Sequence, residues 1–382
     1  MGCSNSRLQP KHPVPPIKNR QGSTRMRSFF EHHLRQAWQH RRWLSCSLWP
    51  LSLLYGVLVR IHQTLYQWQW RKPHVMPVPV VVVGNVLVGG VGKTPIVMAL
   101  VEHLTQQGLR VGVVSRGYGR STGAQQTSPV CEVSVNSLAD DVGDEPLLIH
   151  KRCRVPVWVG AQRIHAARAL LKAHPQVQLI ISDDGLQHLA LARDIELCVF
   201  DERGIGNGWL LPAGPMREPW PRRYTTPDVK RFELRTASET SSPHLLNTAY
   251  VVQRRLSHVA MQADGTQREV RHWAQHPAQA LAGVAKPQVF FDMLQAQGVQ
   301  LANTLALPDH ASADQLKAAV AQLQLNPADV LCTEKDAVKL WHYFPEVWAV
   351  PLVSELPEDL LHAVQHAVQS VLHSNTGSVS EP

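Results

Sequence analysis

Five valines in six positions, Val78 to Val83, run into Gly84-Asn85-Val86-Leu87-Val88-Gly89-Gly90-Val91-Gly92-Lys93-Thr94-Pro95, and no other passage limits the chain's possible folds as tightly. A short, β-branched apolar run reads as a strand buried on both faces. It breaks into glycines and restarts as the amphipathic stretch Ile96 to Gln107, which reads as a helix. Such a junction aims backbone N–H groups and a helix N-terminus at one point, the arrangement that holds phosphate. Gly89, Gly90 and Gly92 leave those N–H groups unobstructed around Val91, Lys93 adds a point charge, and Thr94 offers a hydroxyl for Mg²⁺. Pro95 fits the first helical turn, where its missing N–H has no partner to lose. The expected ligand is a nucleoside triphosphate. One position departs from the usual spacing, because Leu87 stands where glycine is normal, five residues before Gly92. A plain βα turn is the bland alternative, and it leaves Gly-Lys-Thr at the junction unexplained.

At 382 residues and 44% hydrophobic content the chain has room for two domains and the composition of a folded protein. Its net charge of +8 suggests nucleic acid until the charge is located. Residues 1–72 carry 12 Lys or Arg and one acid, Glu31, so residues 73–382 are mildly acidic at −3. Within this arm, 17 uncharged residues from Trp43 to Val59, including Trp49 and Tyr55, are closed by Arg41-Arg42 and Arg60. A bilayer span needs about 17–25 residues, and Pro50 and the serines weaken this one further. The expectation is a segment in or on one leaflet, continued by a helix over Ile61 to Trp70, with arginines on anionic headgroups. A core helix of the soluble body is the alternative, against which the density of Arg and Trp speaks. The predicted partner is therefore a membrane surface, with no nucleic acid. Met1-Gly2-Cys3-Ser4-Asn5-Ser6 fits the N-myristoylation pattern and is read as coincidence. No cleavable signal is evident, and six scattered cysteines without a C-x-x-C pair indicate neither a zinc knuckle nor a disulfide framework. The body is expected in a reducing cytoplasm.

From Pro73 the pattern alternates strand-like runs (Val111 to Ser115, Pro156 to Val159, Leu179 to Ser182, Ile195 to Phe200) with helical stretches such as Gln162 to His174. This predicts an α/β fold, a P-loop NTPase-like parallel sheet covered on both faces, with ligands at the strands' C-terminal ends. Residues 219 to 242, polar and rich in Pro, Arg, Ser and Thr, read as a hinge. A smaller α/β domain follows, with strands near Tyr250 to Gln253, Ala280 to Val284, Val330 to Cys332 and Trp348 to Val353. The expected units are an arm with a membrane-associated helix (1–72), a P-loop domain (73–225) and a second domain closing over the site (226–382). No internal repeat is evident.

Ser182-Asp183-Asp184-Gly185 ends an apolar strand, the place where P-loop proteins keep the carboxylate that faces Mg²⁺. A solvated Asp-Gly turn is the alternative. His188 lies four residues further and is placed to face the same cleft. In Val142-Gly143-Asp144-Glu145-Pro146, Asp144 reads on its own as a helix cap. Ser115-Arg116-Gly117-Tyr118-Gly119-Arg120 offers two arginines to phosphate, and His310 in Leu307-Pro308-Asp309-His310 reads in isolation as a cap or surface residue.

Taken in order, the motifs resemble those of the tetraacyldisaccharide 4′-kinases, membrane-associated enzymes of bacterial lipid A synthesis. The resemblance spans residues 45–355. It runs from Pro50-Leu-Ser-Leu-Leu-Tyr-Gly through the glycine loop, Ser115–Arg120, Gly143–Pro146 and Asp183–His188 to Gly206-Asn-Gly and Leu211–Glu218. It ends with Gly283-Val-Ala-Lys-Pro-Gln288, Pro308-Asp-His310 and Thr333-Glu-Lys-Asp336. Lys286 and Ala311 depart from it. What it implies is transfer of the ATP γ-phosphoryl to the 4′-hydroxyl of a tetraacylated glucosamine disaccharide 1-phosphate, at the cytoplasmic face of the inner membrane, by a peripheral or monotopic enzyme. It also implies Asp144 as the base, His310 as the group that orients it, and Lys93 on the transferred phosphate. Thr94 with Asp183 or Asp184 would then hold Mg²⁺, and Arg116, Arg120 or Arg217 the substrate phosphate. The rival is a P-loop switch ATPase that partitions to membranes without a phosphorylated small-molecule product.

Overall fold

The computed structural model describes residues 38–118, 130–222, 229–237, 250–323 and 329–377. Arg120, the myristoylation-like hexapeptide and part of the expected hinge lie outside the described residues.

Helix α1 (Trp43–Gln67) is one continuous 25-residue element that includes Pro50. The chain then builds a nine-stranded sheet. In spatial order its seven parallel members are β8 (Tyr250–Leu256), β7 (Lys230–Ala237), β6 (Ile195–Phe200), β1 (Val80–Gly84), β5 (Leu179–Asp183), β2 (Val111–Ser115) and β4 (Val157–Gly160). Antiparallel strands close both edges, β15 (Leu352–Glu355) beside β8 and β3 (Val130–Glu132) beside β4. Side chains of β1 alternate between two cores, as a strand covered on both faces requires. Val81 and Val83 pack with α2 (Lys93–Gln106), α4 (Asp144–Cys153) and α9 (Glu358–Gly377), while Val80 and Val82 pack with α5 (Arg163–Ala173). A one-turn helix, α3 (Ala139–Val142), precedes α4.

A second, six-stranded sheet follows the order β10 (Gln267–Glu269), β9 (Val259–Met261), β14 (Trp348–Val350), β13 (Val330–Thr333), β11 (Ala278–Ala282) and β12 (Leu301–Ala306). Helix α6 (Pro287–Ala296) covers one face through Phe290, Phe291 and Leu294. Helices α7 (Ala313–Gln322) and α8 (Glu334–Leu340) cover the other through Leu316, Val320, Ala337 and Leu340.

The two sheets are interlaced rather than consecutive, so the expected division at 225/226 is not where they part. Strands β7, β8 and β15 and helix α9 all follow that point and all belong to the large sheet. The expected hinge contains β7: Arg231, Glu233 and Arg235 alternate with Phe232, Leu234 and Thr236, and Leu234 is fully buried. The single strand expected over Trp348 to Val353 is two strands in different sheets, and the chain crosses between them at Pro351.

Candidate active site

Strand β1 is the middle strand of the large sheet, and the glycine loop leaves from its C-terminal end. The loop does not turn at once. Leu87 is fully buried and bridges Met216, and Val88 N–H donates to the Pro215 carbonyl at 2.9 Å. Position 87 is a core position, so leucine stands there and the turn is made later, at Gly89 with φ of +100°. Gly92 adopts the left-handed φ of +79° that glycine tolerates best, and α2 starts at the next residue. Gly89, Gly90, Val91, Gly92, Lys93, Thr94 and Pro95 thus all lie where the sequence placed them, at the junction of β1 and α2. Lys93 Nζ sits 3.2 Å from Asn85 Oδ1 and 3.4 Å from Asp184 Oδ1. The Asn85 amide also donates to the Leu87 carbonyl at 2.9 Å, so one side chain ties the lysine to the loop.

Asp183 is the last residue of β5, next to β1, and Asp184 follows with φ of +48°. Burial pushes the Asp183 carboxyl up, and the neighbouring charges of Glu145 and Asp184 push it further, against Lys93 and Arg163. Its Oδ2 accepts from the Ser115 hydroxyl at 3.4 Å, whereas its buried Oδ1 has no hydrogen-bond partner among the described residues. Burial also raises Asp184, but Lys93 and Arg217, the latter at 3.3 Å, outweigh it and hold that carboxyl below its usual range. No group of three or more His, Cys, Asp or Glu side chains able to hold a metal ion occurs among the described residues. Mg²⁺ is a hard cation that takes one or two protein carboxylates and fills its other positions with water and phosphate oxygens. The unpartnered Asp183 oxygen fits such an ion.

Asp144 opens α4 directly after Gly143, whose φ is +94° and where a Cβ would come within 3.0 Å of the Tyr118 carbonyl. His310 comes from the other sheet, on the loop between β12 and α7, with φ of +59°. Its Nδ1 lies 3.2 Å from Asp144 Oδ2, and its ring packs 5.2 Å from that of Tyr118. Two lysines of α8 join them. Lys339 Nζ donates to the same Asp144 Oδ2 at 3.1 Å, and Lys335 Nζ lies 3.7 Å from it. Burial pushes the Asp144 carboxyl up, but the hydrogen bond with His310 and the charges of Lys335 and Lys339 outweigh burial and hold it well below the usual carboxylate range. The hydrogen bond to Asp144 raises His310 above its ordinary value, against burial and Lys335. The sequence placed Asp144 and His310 in separate motifs; the fold brings them together across the two sheets.

The remaining expectations divide. Arg217 pairs with Asp184, while Arg116 is exposed at the end of β2. His188 is not hydrogen-bonded to either aspartate of the pair; burial, then Arg163 and Arg193, press it down to about 4 and keep it neutral. Lys286, one of the two departures, pairs with Glu202 at the end of β6 and so links the sheets. Several site residues had no local signal: Asn85, and two arginines beside the loop glycines. Arg203 holds Asp201 and donates to the Val88 carbonyl at 3.3 Å, and Arg254 Nη1 would lie 3.1 Å from a Cβ at Gly92.

A glycine-rich loop that leaves the central strand of a parallel sheet and enters a helix opening with Lys93-Thr94 defines a P-loop fold. The sequence profile of the family "Tetraacyldisaccharide-1-P 4'-kinase" matches residues 44–369. The tetraacyldisaccharide 4′-kinase of Acidovorax ebreus is 45% identical over 89% of this chain and 96% of its own length, and that of Polaromonas naphthalenivorans is 47% identical over 84% and 90%. The crystal structure of the "apo" form LpxK from Aquifex aeolicus in complex with ATP superimposes with a TM-score of 0.71 at 26% identity, covering 85% of this chain and 99% of that one. The chain belongs to the tetraacyldisaccharide 4′-kinase family and is a kinase of lipid A synthesis. Membership does not favour the switch-ATPase alternative.

Proposed function

We propose that this chain transfers the γ-phosphoryl group of ATP to the 4′-hydroxyl of a tetraacylated glucosamine disaccharide 1-phosphate at the cytoplasmic face of the bacterial inner membrane. The observation that carries the mechanism is the meeting at 3.2 Å of Asp144, from a helix on the large sheet, and His310, from a loop of the small one. A sugar hydroxyl is a weak nucleophile, and a positioned carboxylate takes its proton as the new bond forms. Asp144 fills that role. His310 orients it through Oδ2, which leaves Oδ1 without a hydrogen bond from any described residue. Lys93 and the N–H groups of the Gly89–Gly92 loop hold the β- and γ-phosphates and stabilise the charge that develops on them. Thr94 with Asp183 or Asp184 would hold Mg²⁺, which when bound would neutralise charge developing on the transferred phosphate.

Helix α1 supplies access to the lipid. It turns Ser45, Ser52 and Tyr66 inward and Trp49, Leu51, Leu54, Leu58 and Ile61 outward, the reverse of a helix in a soluble core. An apolar face of this kind suits the acyl region of a leaflet, where an acceptor with four chains resides. The association is peripheral or monotopic. The test is to incubate the full chain with ATP, Mg²⁺ and the disaccharide lipid in detergent and to weigh the lipid by mass spectrometry. Gain of one phosphate group at the 4′ position supports the proposal; ATP hydrolysis with unchanged lipid overturns it.

A further inference from the structure

Helix α8 lies along α4, and charged links join them at both ends. At the C-terminal end of α4, Arg152 binds Glu334 at 2.9 Å and Glu102 of α2 at 3.0 Å. At its N-terminal end the two lysines of α8 converge on Asp144. Lys339 is buried and donates to Asp144 Oδ2 at 3.1 Å and to the Ala311 carbonyl at 2.9 Å. Lys335 lies 3.4 Å from His310 Nε2, 3.3 Å from Asp309 and 3.9 Å from Glu145. The register of α8 is itself fixed: Thr333 caps it through Asp336 N–H, and Asp336 Oδ2 takes the Thr333 hydroxyl at 2.7 Å and Gly283 N–H at 2.9 Å. Burying an ammonium group is costly unless it is paired, and a lysine inside the protein marks a pairing that matters to the fold or the chemistry.

We propose that Lys339 and Lys335 are positioning residues of phosphoryl transfer, holding Asp144 by Oδ2 so that Oδ1 is presented to the acceptor hydroxyl. This rests on the reading of Asp144 as the base. Two ammonium groups, Lys335 and Lys339, and the His310 ring reach the carboxylate from the small sheet's side, and all fall on one of its oxygens. A carboxylate pinned by one oxygen cannot rotate, and its free oxygen keeps a single direction. Lys335 adds a second constraint by facing His310 Nε2 and so fixing the ring whose Nδ1 meets Asp144. The charged and titratable groups facing the pair are Lys335, Lys339, Asp309 and Glu145, with the Tyr118 ring against His310.

The test measures kcat, KM for ATP and lipid, and the pH profile of kcat for the full chain and for Lys339→Met, Lys339→Arg, Lys335→Met and Asp144→Asn, with thermal melts to establish folding. Lys339→Met is expected to lower kcat at least about tenfold with little change in KM for ATP, and to move the acid limb of the profile to higher pH, because a cation that favours the ionised carboxylate is gone. Lys339→Arg should restore the limb, and Lys335→Met should shift it in the same direction if Lys339→Met does not fold. Folded lysine variants with unchanged kcat and unchanged limb, beside an inactive Asp144→Asn, would overturn the positioning role and leave the base in place. An active Asp144→Asn would instead remove the base itself.

Discussion

At the scale of single residues, Gly143 shows how local backbone serves chemistry. Its φ of +94° and the 3.0 Å approach of the Tyr118 carbonyl leave no room for a side chain, and the next residue is Asp144. Gly143→Ala is expected to destabilise the start of α4 by about 1 kcal/mol or more and to lower kcat more than it changes KM for ATP, as steady-state kinetics will show. His310 gives a pH signature. Its folded value is raised from 6.5 by the hydrogen bond to Asp144, so its contribution to stability is fully present below that value and is lost as pH rises through the raised folded one. Melts of His310→Ala should therefore fall further below wild type in acid than in alkaline buffer; an equal deficit at both would contradict this. The glycine loop and the Asp-Asp strand end were legible in the sequence because their spacing is local. Lys339 and Arg254 were not, since 195 residues separate Lys339 from Asp144 and only the folded sheets bring such pairs together.

At the scale of elements, α1 inverts the usual pattern of a surface helix. Its small polar residues dock it: the Ser52 hydroxyl donates to the Leu210 carbonyl at 2.7 Å, and the Tyr55 hydroxyl to the Arg217 carbonyl at 2.8 Å. Gln63 reaches Glu218 at 3.2 Å. The helix is thus fastened to the segment that carries Arg217, a partner of Asp184. Leu54 and Leu58 are 59% and 58% exposed, so replacing both with Asp should leave the thermal melt within about 0.5 kcal/mol while sharply reducing co-sedimentation with anionic liposomes. Retained liposome binding would contradict a membrane role for this face. The apolar run made the helix legible. Which face meets the protein was hidden, because periodicity identifies an apolar side without saying whether protein or lipid covers it.

At the scale of the whole molecule, the path of the chain couples the two sheets. It leaves the large sheet after β8, builds the small one, and returns through Pro351 to add β15 and α9. The local pattern of strands and helices was readable, but sheet membership was not, because β7, β8 and β15 have the same local sequence character whichever sheet they join. A fragment ending at residue 225 loses Leu234, Val252, Leu360, Val364 and Val368 from the core around β1, each fully buried. At about 1.5–3 kcal/mol for each such side chain, the loss is comparable to the whole stability of a domain, about 5–15 kcal/mol. The fragment is expected to show no cooperative melt by circular dichroism, and a sharp one would contradict the interlaced architecture. The small sheet built on this excursion places α8 and the His310 loop against Asp144, so the proposed base is complete only when both sheets are formed. The most direct measurement is single-turnover transfer of labelled γ-phosphoryl from prebound ATP to the disaccharide lipid, run side by side for wild type and Asp144→Asn. Wild type is expected to give labelled lipid and the variant a rate lower by about 10²–10⁴-fold with ATP affinity preserved; transfer by Asp144→Asn at the wild-type rate would rule out Asp144 as the base.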